Sequence, residues 1–407
     1  MSYFVFSGKK KIRLNLKEYK DVDFLCNKRA FTESSDANLI RSMKAFFEKN
    51  GSHFLDKKVC VVIPDNTRDF HAKKVLKPLS RYLGRLSRNV EFIIALGLHR
   101  RLGKSELIEL LGEDFIKSNK VIQHSLEEVK SLGQINGTPA TLNRRLLSYD
   151  LLFTVGVVEP HLYAGFSGGI KGIGIGLAGR KTILHTHSVT YLSQKEVKVS
   201  NTRTNPFQKY LWDLYKHLEM PVYSLNIMNN LNKKIAYCSM GEARKSFSET
   251  VKHARAFYSY RVRQQYDLLF VGCDSPKESS LYQASRLFNA VLDKKALVKK
   301  GGTIFVTADL GGTRKSHAEK NFERIMKRKD RPPSYAFAKP GEHRAGKIIQ
   351  ASQMARLGLI TPYIPRGRYT HLNFFKDYRE GLAWARENLG EDLKIGIIPL
   401  GFSFIPS

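Results

Sequence analysis

Cysteine is scarce. The 407 residues hold four, Cys26, Cys60, Cys238 and Cys273, far apart and without a CxxC pair. That spacing excludes a disulfide frame and a zinc knuckle. Long apolar runs are also missing, since no stretch approaches the ~18 consecutive apolar residues that cross a bilayer. The opening Met-Ser-Tyr-Phe-Val-Phe-Ser leads directly into Gly8-Lys9-Lys10-Lys11, the reverse of a secretory signal's order, so a cytoplasmic location is expected. Acidic residues are few: 37 Asp plus Glu stand against 68 Lys plus Arg, a net charge of +31. Such an excess invites nucleic acid, because each neutralised phosphate releases counterions. The basic residues, however, are scattered in small groups: Lys9–Lys11, Arg100-Arg101, Lys299-Lys300 and the run from Met326 to Arg331. Zinc-finger spacing, an aromatic RNA-binding signature and a helix-turn-helix pattern are all lacking. Nucleic acid is therefore not the expected partner, and an anionic substrate or cofactor fits the charge equally well.

What is present is ordinary globular material, 42% hydrophobic and 26% charged, enough for two or three domains. Short β-branched runs alternate with helical periods, the mark of an α/β chain with mostly parallel strands. Lys58–Ile63, Glu91–Leu96 and Asp150–Val158 read as buried strands, and Lys73–Leu86 as a helix interrupted by Pro78. Ser105 is a candidate N-cap for the next helix. A second α/β unit starts near residue 258. Its strands are expected at Asp267–Gly272, Gly302–Thr307 and Lys394–Ile398, and its helices at Glu278–Leu297, Arg344–Leu357 and Asp377–Leu389. The charged, proline-broken stretch from Lys327 to Gly341 reads as a surface loop. The expected architecture is two α/β domains with mostly parallel sheets and the active site in the cleft between them. Residues 1–257 would form the N-terminal catalytic and cofactor-binding domain. Residues 258–407 would form the C-terminal α/β domain, with a final segment able to pack back on the first.

In open parallel sheets, ligands sit beyond the carboxyl ends of the strands. Three successive strands here end in polar residues: Asp65-Asn66-Thr67-Arg68, Gly97-Leu98-His99-Arg100 and Glu159-Pro160-His161. Any one of them alone is compatible with a turn or a helix cap; together they point to a site. A glycine-rich segment from Ala164 to Gly179 follows and contains Lys171, a combination that suits an anion. Gly174-Ile-Gly176-Leu-Ala-Gly179 matches G-x-G-x-x-G, but sixteen residues separate it from the end of the strand at Val158. A dinucleotide fingerprint needs that strand directly in front, and a P-loop would need Gly-Lys-Ser/Thr. His185-Thr-His187 would point both imidazoles one way on a strand, as a metal requires, although taken alone the pair reads as a surface feature. Gln283 and Arg286, three apart on an expected helix, share a face that could offer an amide and a guanidinium to an anion or simply meet solvent.

These pieces, in this order, resemble the nickel-dependent lactate racemase family over nearly the whole chain. Asp65-Asn-Thr-Arg68 is similar to the family's D-x-T-R turn, and Ala95-Leu-Gly-Leu-His99-Arg100 to its A-L-G-x-H-R segment. Glu159-Pro-His161 through Ala164-Gly-Phe-Ser-Gly-Gly-Ile-Lys171 resembles its longest motif, and the spacing on to His187 also fits. The resemblance implies a racemase or epimerase of a 2-hydroxy acid. It implies reversible hydride transfer to a nickel pincer nucleotide, via a 2-oxo acid. That cofactor is a pyridinium mononucleotide with two sulfur arms and nickel bonded to a ring carbon. Lys171 would carry the thioamide link to it and His187 would bind the nickel, with His185 as a neighbour. His99 and His161 would be the acid/base pair, since imidazole's unperturbed pKa of ~6.5 suits proton exchange in both directions. Asp65, Thr67 and Arg68 would hold the cofactor phosphate or the substrate, and Gln283, Arg286 and Arg68 the substrate.

Three departures accompany the resemblance. Arg286 stands where the family usually has lysine, Cys273-Asp274-Ser275-Pro276-Lys277 replaces a glycine-rich strand end, and Ile175 replaces a proline. The first two touch the substrate side and shift the expectation from lactate to a larger or differently charged 2-hydroxy acid, such as a sugar acid. Enzymes that build the cofactor are the implied partners. The rival readings are an NAD-dependent oxidoreductase, a basic nucleic-acid-binding protein, and a relative that keeps the fold without the catalysis.

Overall fold

The computed structural model describes residues 3–27, 32–275, 277–292, 297–312, 315–327 and 341–406, and, of Val189, the backbone only. Most of the expected surface loop from Lys327 to Gly341 lies outside the described residues. Among them, two large sheets dominate. The first has six strands in the order Ile235–Glu242, Val222–Asn229, Leu151–Val157, Lys58–Pro64, Asn89–Ala95 and Lys120–Gln123. All its neighbours are parallel except the first pair, which is antiparallel. Its central strands show why a β-branched run is needed. Val59, Val61 and Ile63 face one core, while Cys60 and Val62 face the other. A strand covered on both sides must be apolar at every position, which is why alternation is absent from the sequence.

The second sheet has eight strands and runs Asn373–Phe375, Arg356–Ile360, Val298–Thr307, Tyr266–Asp274, Tyr3–Gly8 and Lys10–Leu14; Ile395–Ile398 pairs beside Tyr266–Asp274 and carries Val22–Phe24. Only the hairpin of Tyr3–Gly8 with Lys10–Leu14 is antiparallel among these pairs. The sheets therefore do not divide at residue 257. Tyr3–Gly8 and Val22–Phe24 complete the second sheet, where Val5 joins a core with Leu268 and Phe270. In the other direction, Ile405 packs with Phe166 and Tyr258 in a core of the first half. A chain that crosses over at both ends ties the halves together.

The three strands expected in the first sheet lie within a residue or two of where the sequence puts them. The helix Ala72–Leu86 runs through Pro78, because five buried residues of its apolar stripe hold it to the sheet. Ser105 is not the N-cap: Gly103 is, and the Glu106 carboxylate returns to accept its backbone N–H at 2.9 Å. Glu278–Leu297 is not one helix either. It breaks into a short turn and two pieces, Leu281–Ala284 and Arg286–Leu292, with the Ser285 hydroxyl donating to the Tyr282 carbonyl at the break. The helix expected over Arg344–Leu357 spans Glu342–Ser352, and its last expected residues already belong to a strand, Arg356–Ile360. All four cysteines are free, and no helix among the described residues is long and apolar enough to cross a membrane.

Candidate active site

A cavity of ≈ 380 Å³ lies beyond the carboxyl ends of the three central strands and takes its walls from both halves of the chain. His99, His161, Lys171, His187, Arg68 and Asp65 line it from the first half, Gln283 and Arg286 from the second. Thr67 lines it as well, so all nine candidate residues converge.

Strand ends set this geometry. Lys58–Pro64 delivers Asp65 to the floor, where the carboxylate is nearly all enclosed by protein. One oxygen accepts from the Thr67 hydroxyl at 2.6 Å and its backbone N–H at 3.1 Å; the other meets His99 Nδ1 at 2.6 Å. Burial alone would raise the Asp65 pKa, but the neighbouring His99 and the hydrogen bonds outweigh it and hold the carboxylate ionised. An ionised Asp65 puts the His99 proton on Nδ1 and leaves Nε2 with its lone pair. Both Asp65 and Thr67 are thus engaged with the protein. Asp65 therefore orients the His99 ring from the cavity floor.

His161 is held differently. It follows the strand Leu151–Val157 and sits 5% exposed, with Nδ1 accepting from the backbone N–H groups of Tyr163 at 3.2 Å and Ala164 at 3.1 Å. Its neutral ring must carry the proton on Nε2. Burial, then the charges of Lys171, Arg286 and Arg68, push its pKa well below the usual histidine value.

The loop to Lys171 needs glycine at two places. A Cβ on Gly156 would lie 2.3 Å from the Gly169 nitrogen, so the loop could not close over the strand. Gly168 has φ +129°, outside the range that a side chain tolerates easily. Gly169 N–H then donates to Asn226 Oδ1 at 2.9 Å, and a short helix, Ile170–Gly174, presents Lys171 to the cavity. Burial and the nearby Arg68 and Arg286 lower the Lys171 amine to about 7, so a sizeable neutral, nucleophilic fraction is present near neutral pH. Of the remaining glycines, Gly174 makes room for Leu211, Gly176 for the Gly172 carbonyl and Ala95, and Gly179 for Thr141. The literal G-x-G-x-x-G therefore serves internal packing rather than approach to a pyrophosphate.

His185 and His187 lie at the end of a helix, Arg180–Thr186, and not on a strand. Two residues apart on a helix face nearly opposite ways, so His185 turns to pack on Tyr191 while His187 lines the cavity. His187 Nδ1 donates to the Ile183 carbonyl at 2.9 Å, which leaves Nε2 for a metal or other acceptor of its lone pair. Burial and then the Lys171 charge lower its pKa to about 4, so the imidazole is available as a ligand at neutral pH.

Arg68 lies 3.5 Å from Glu159, whose other oxygen pairs with Lys277 at 2.8 Å. Burial would raise the Glu159 pKa, but the charges of Lys277 and Arg68 keep it below the usual value. Gln283 accepts from Arg286 Nη1 at 3.3 Å, confirming the shared face expected of them. The sequence reading missed Lys277 as a site residue, along with Tyr163, Tyr282, His343 and Arg344, all of which line the cavity. His343-Arg344, in the first turn after Gly341-Glu342, was the available signal, for positive charge at the start of a helix is costly unless something anionic faces it.

Residues 7–199 match the family model for the lactate racemase N-terminal domain. The lactate racemase of Lactiplantibacillus plantarum is 25% identical over 400 residues, 92% of this chain and 89% of that protein. That of Thermoanaerobacterium thermosaccharolyticum is 22% identical over 86% of this chain and 84% of its own length. Among solved structures, the lactate racemase apoprotein from Thermoanaerobacterium thermosaccharolyticum shares the fold with a TM-score of 0.83 at 20% identity, with both chains fully covered. A Thermotoga maritima protein shares it with a TM-score of 0.72 at 17% identity, over 93% of this chain and all of that one. The chain is thus similar to the lactate racemases along most of its length, with their N-terminal domain matched over residues 7–199.

Proposed function

We propose that the protein is a racemase or epimerase of a 2-hydroxy acid that works with a nickel pincer nucleotide. The observation that carries this reading is the convergence of Lys171, His187, His99 and His161 on one cavity. The residues suit the group. Lys171 offers an amine that is about half deprotonated near neutral pH for a thioamide link, and His187 a neutral imidazole with Nε2 left over. When bound, the cofactor supplies a reversible acceptor for the α-hydrogen as hydride.

The chain's own part is proton handling and positioning. His99 Nε2, backed by anionic Asp65, takes the hydroxyl proton of a substrate bound on its side. His161 Nε2–H faces the same cavity from another wall and hydrogen-bonds to the substrate's oxygen in the other orientation, polarising it, while the proton held on His99 returns to that oxygen when the hydride comes back. Arg68, steadied by Glu159, and Arg286, steadied by Gln283, hold the carboxylate while the carbinol carbon reorients. The enzymes that make the cofactor would be its partners, and the cytoplasm its place of work.

Expression with those cofactor-making enzymes, followed by intact-mass and metal analysis, tests the reading. The expected result is an adduct on Lys171, stoichiometric nickel and interconversion of 2-hydroxy acid stereoisomers. Lys171→Ala should lose both adduct and turnover, and turnover that survives the substitution overturns the assignment. NAD bound tightly in the same cavity would favour the oxidoreductase instead.

A further inference from the structure

The cavity holds more buried positive charge than one carboxylate can satisfy. Arg286 is 9% exposed and Arg344 is 3% exposed, and both line it. Arg286 Nε and two nitrogens of Arg344, Nε and Nη1, are buried without a hydrogen-bond partner among the described residues. Arg344 is nonetheless fixed in place: its guanidinium lies 5.4 Å from the Tyr163 ring centre and 5.9 Å from that of Tyr282. Burial, and then Arg344 as the foremost of the neighbouring charges, lower the Arg286 pKa to about 10.

The carboxylates at hand do not answer this charge. Asp65 is taken by His99 and Thr67, Glu159 by Lys277 and Arg68, Glu319 by Ser280 and the Ser316 backbone, and Glu342 by Arg324. A buried guanidinium with bare donors is costly unless an anion completes it. A 2-hydroxy monocarboxylate, held by Arg68 and Arg286, would leave Arg344 unanswered. We propose that Arg344 binds a second carboxylate, at the far end of the substrate, so that the preferred substrate is a 2-hydroxy dicarboxylate rather than a monocarboxylate such as lactate. This rests on the racemase reading above and names the substrate class for the same site. Tyr163 and Tyr282 flank the guanidinium and aim it, and planar bidentate pairing with carboxylate is the geometry that favours arginine over lysine.

The test uses the cofactor-loaded protein and two probes, malate and lactate. kcat/KM for malate should exceed that for lactate by on the order of 100-fold. Arg344→Met should reduce that ratio by a similar factor and leave the Lys171 adduct and nickel content intact. Arg344→Lys should recover part of it, which a merely unfolded Arg344→Met could not explain. A wild type that prefers lactate, or an Arg344→Met protein that loses both activities equally, overturns the proposal. So does loss of the Lys171 adduct on that substitution, because Arg344 would then serve the cofactor. If the wild type acquires no adduct or nickel, the racemase reading itself fails. The binding arm still decides the arginine's role: calorimetric titration of the same protein should show malate binding more tightly than lactate, with the difference abolished by Arg344→Met, and equal binding refutes it.

Discussion

His99 and His161 line one cavity, yet the protein treats them in opposite ways. The His99 side chain is 43% exposed and paired through Nδ1 with a buried carboxylate. His161 is buried, and two backbone N–H groups occupy its Nδ1. The first arrangement anchors the ring through Nδ1 on a carboxylate; the second penalises a positive ring, since a proton on Nδ1 would face two donors. One ring is thus presented as a base at Nε2 and the other as a hydrogen-bond donor at Nε2. A site that must act on two mirror-related substrates is therefore built from two unlike histidines, and each has to be tuned by its own surroundings rather than by symmetry.

Breaking either ring should produce the largest effects. His99→Gln and His161→Gln are each expected to lower kcat of the loaded enzyme about 10²–10⁴-fold, the usual worth of general acid–base catalysis. A double-mutant cycle sharpens the contrast. Asp65→Asn should add little to His99→Gln but add in full to His161→Gln, because Asp65 acts through His99 alone. Additivity in both backgrounds would remove the positioning role.

Acid should come next. A buried histidine with a lowered pKa binds fewer protons folded than unfolded, so the fold loses stability as pH falls below the unfolded value. For His187 the window runs from about 6.5 down to about 4, with a loss of at most about 3 kcal/mol. His161 adds in the same direction. Denaturant midpoints of the cofactor-free protein should therefore fall across that window, and His187→Gln should flatten the slope. An unchanged slope would mean that the ring is not buried neutral.

The smallest effect tests the loop that carries His99. Arg100 forks onto Glu106 at 2.8 and 2.5 Å, and Glu106 also caps the helix at Gly103. Glu106→Ala should cost about 1 kcal/mol in thermal or denaturant unfolding, whereas Ser105→Ala should stay within about 0.5 kcal/mol. The reverse order would restore Ser105 as the cap.

Much of the first half was legible because its signals are local. Strands buried on both faces announce themselves as β-branched runs, and the polar residues that end them mark the sheet's carboxyl edge. Long-range facts were not legible. Tyr3–Gly8 carries no sign that its partner is Tyr266–Asp274, more than 250 positions away. The H-x-H spacing suits a strand as well as a helix end, and only the helix Arg180–Thr186 separates the fates of His185 and His187. Gln283 and Arg286 were correctly placed on one face because three-residue spacing brings them together even in a helix broken at Ser285.

Composition, strand pattern and motif order alone determined an α/β chain, its sheet edge and the side chains that would gather there. Tertiary structure decided how those side chains are charged and aimed: which nitrogen of each histidine bears its proton, which carboxylates are already engaged, and that Arg344 joins Arg286 with donors to spare. The reason is physical. Strand and helix preferences act through neighbours along the chain, whereas pKa values and hydrogen-bond satisfaction depend on burial and on charges brought together from distant segments.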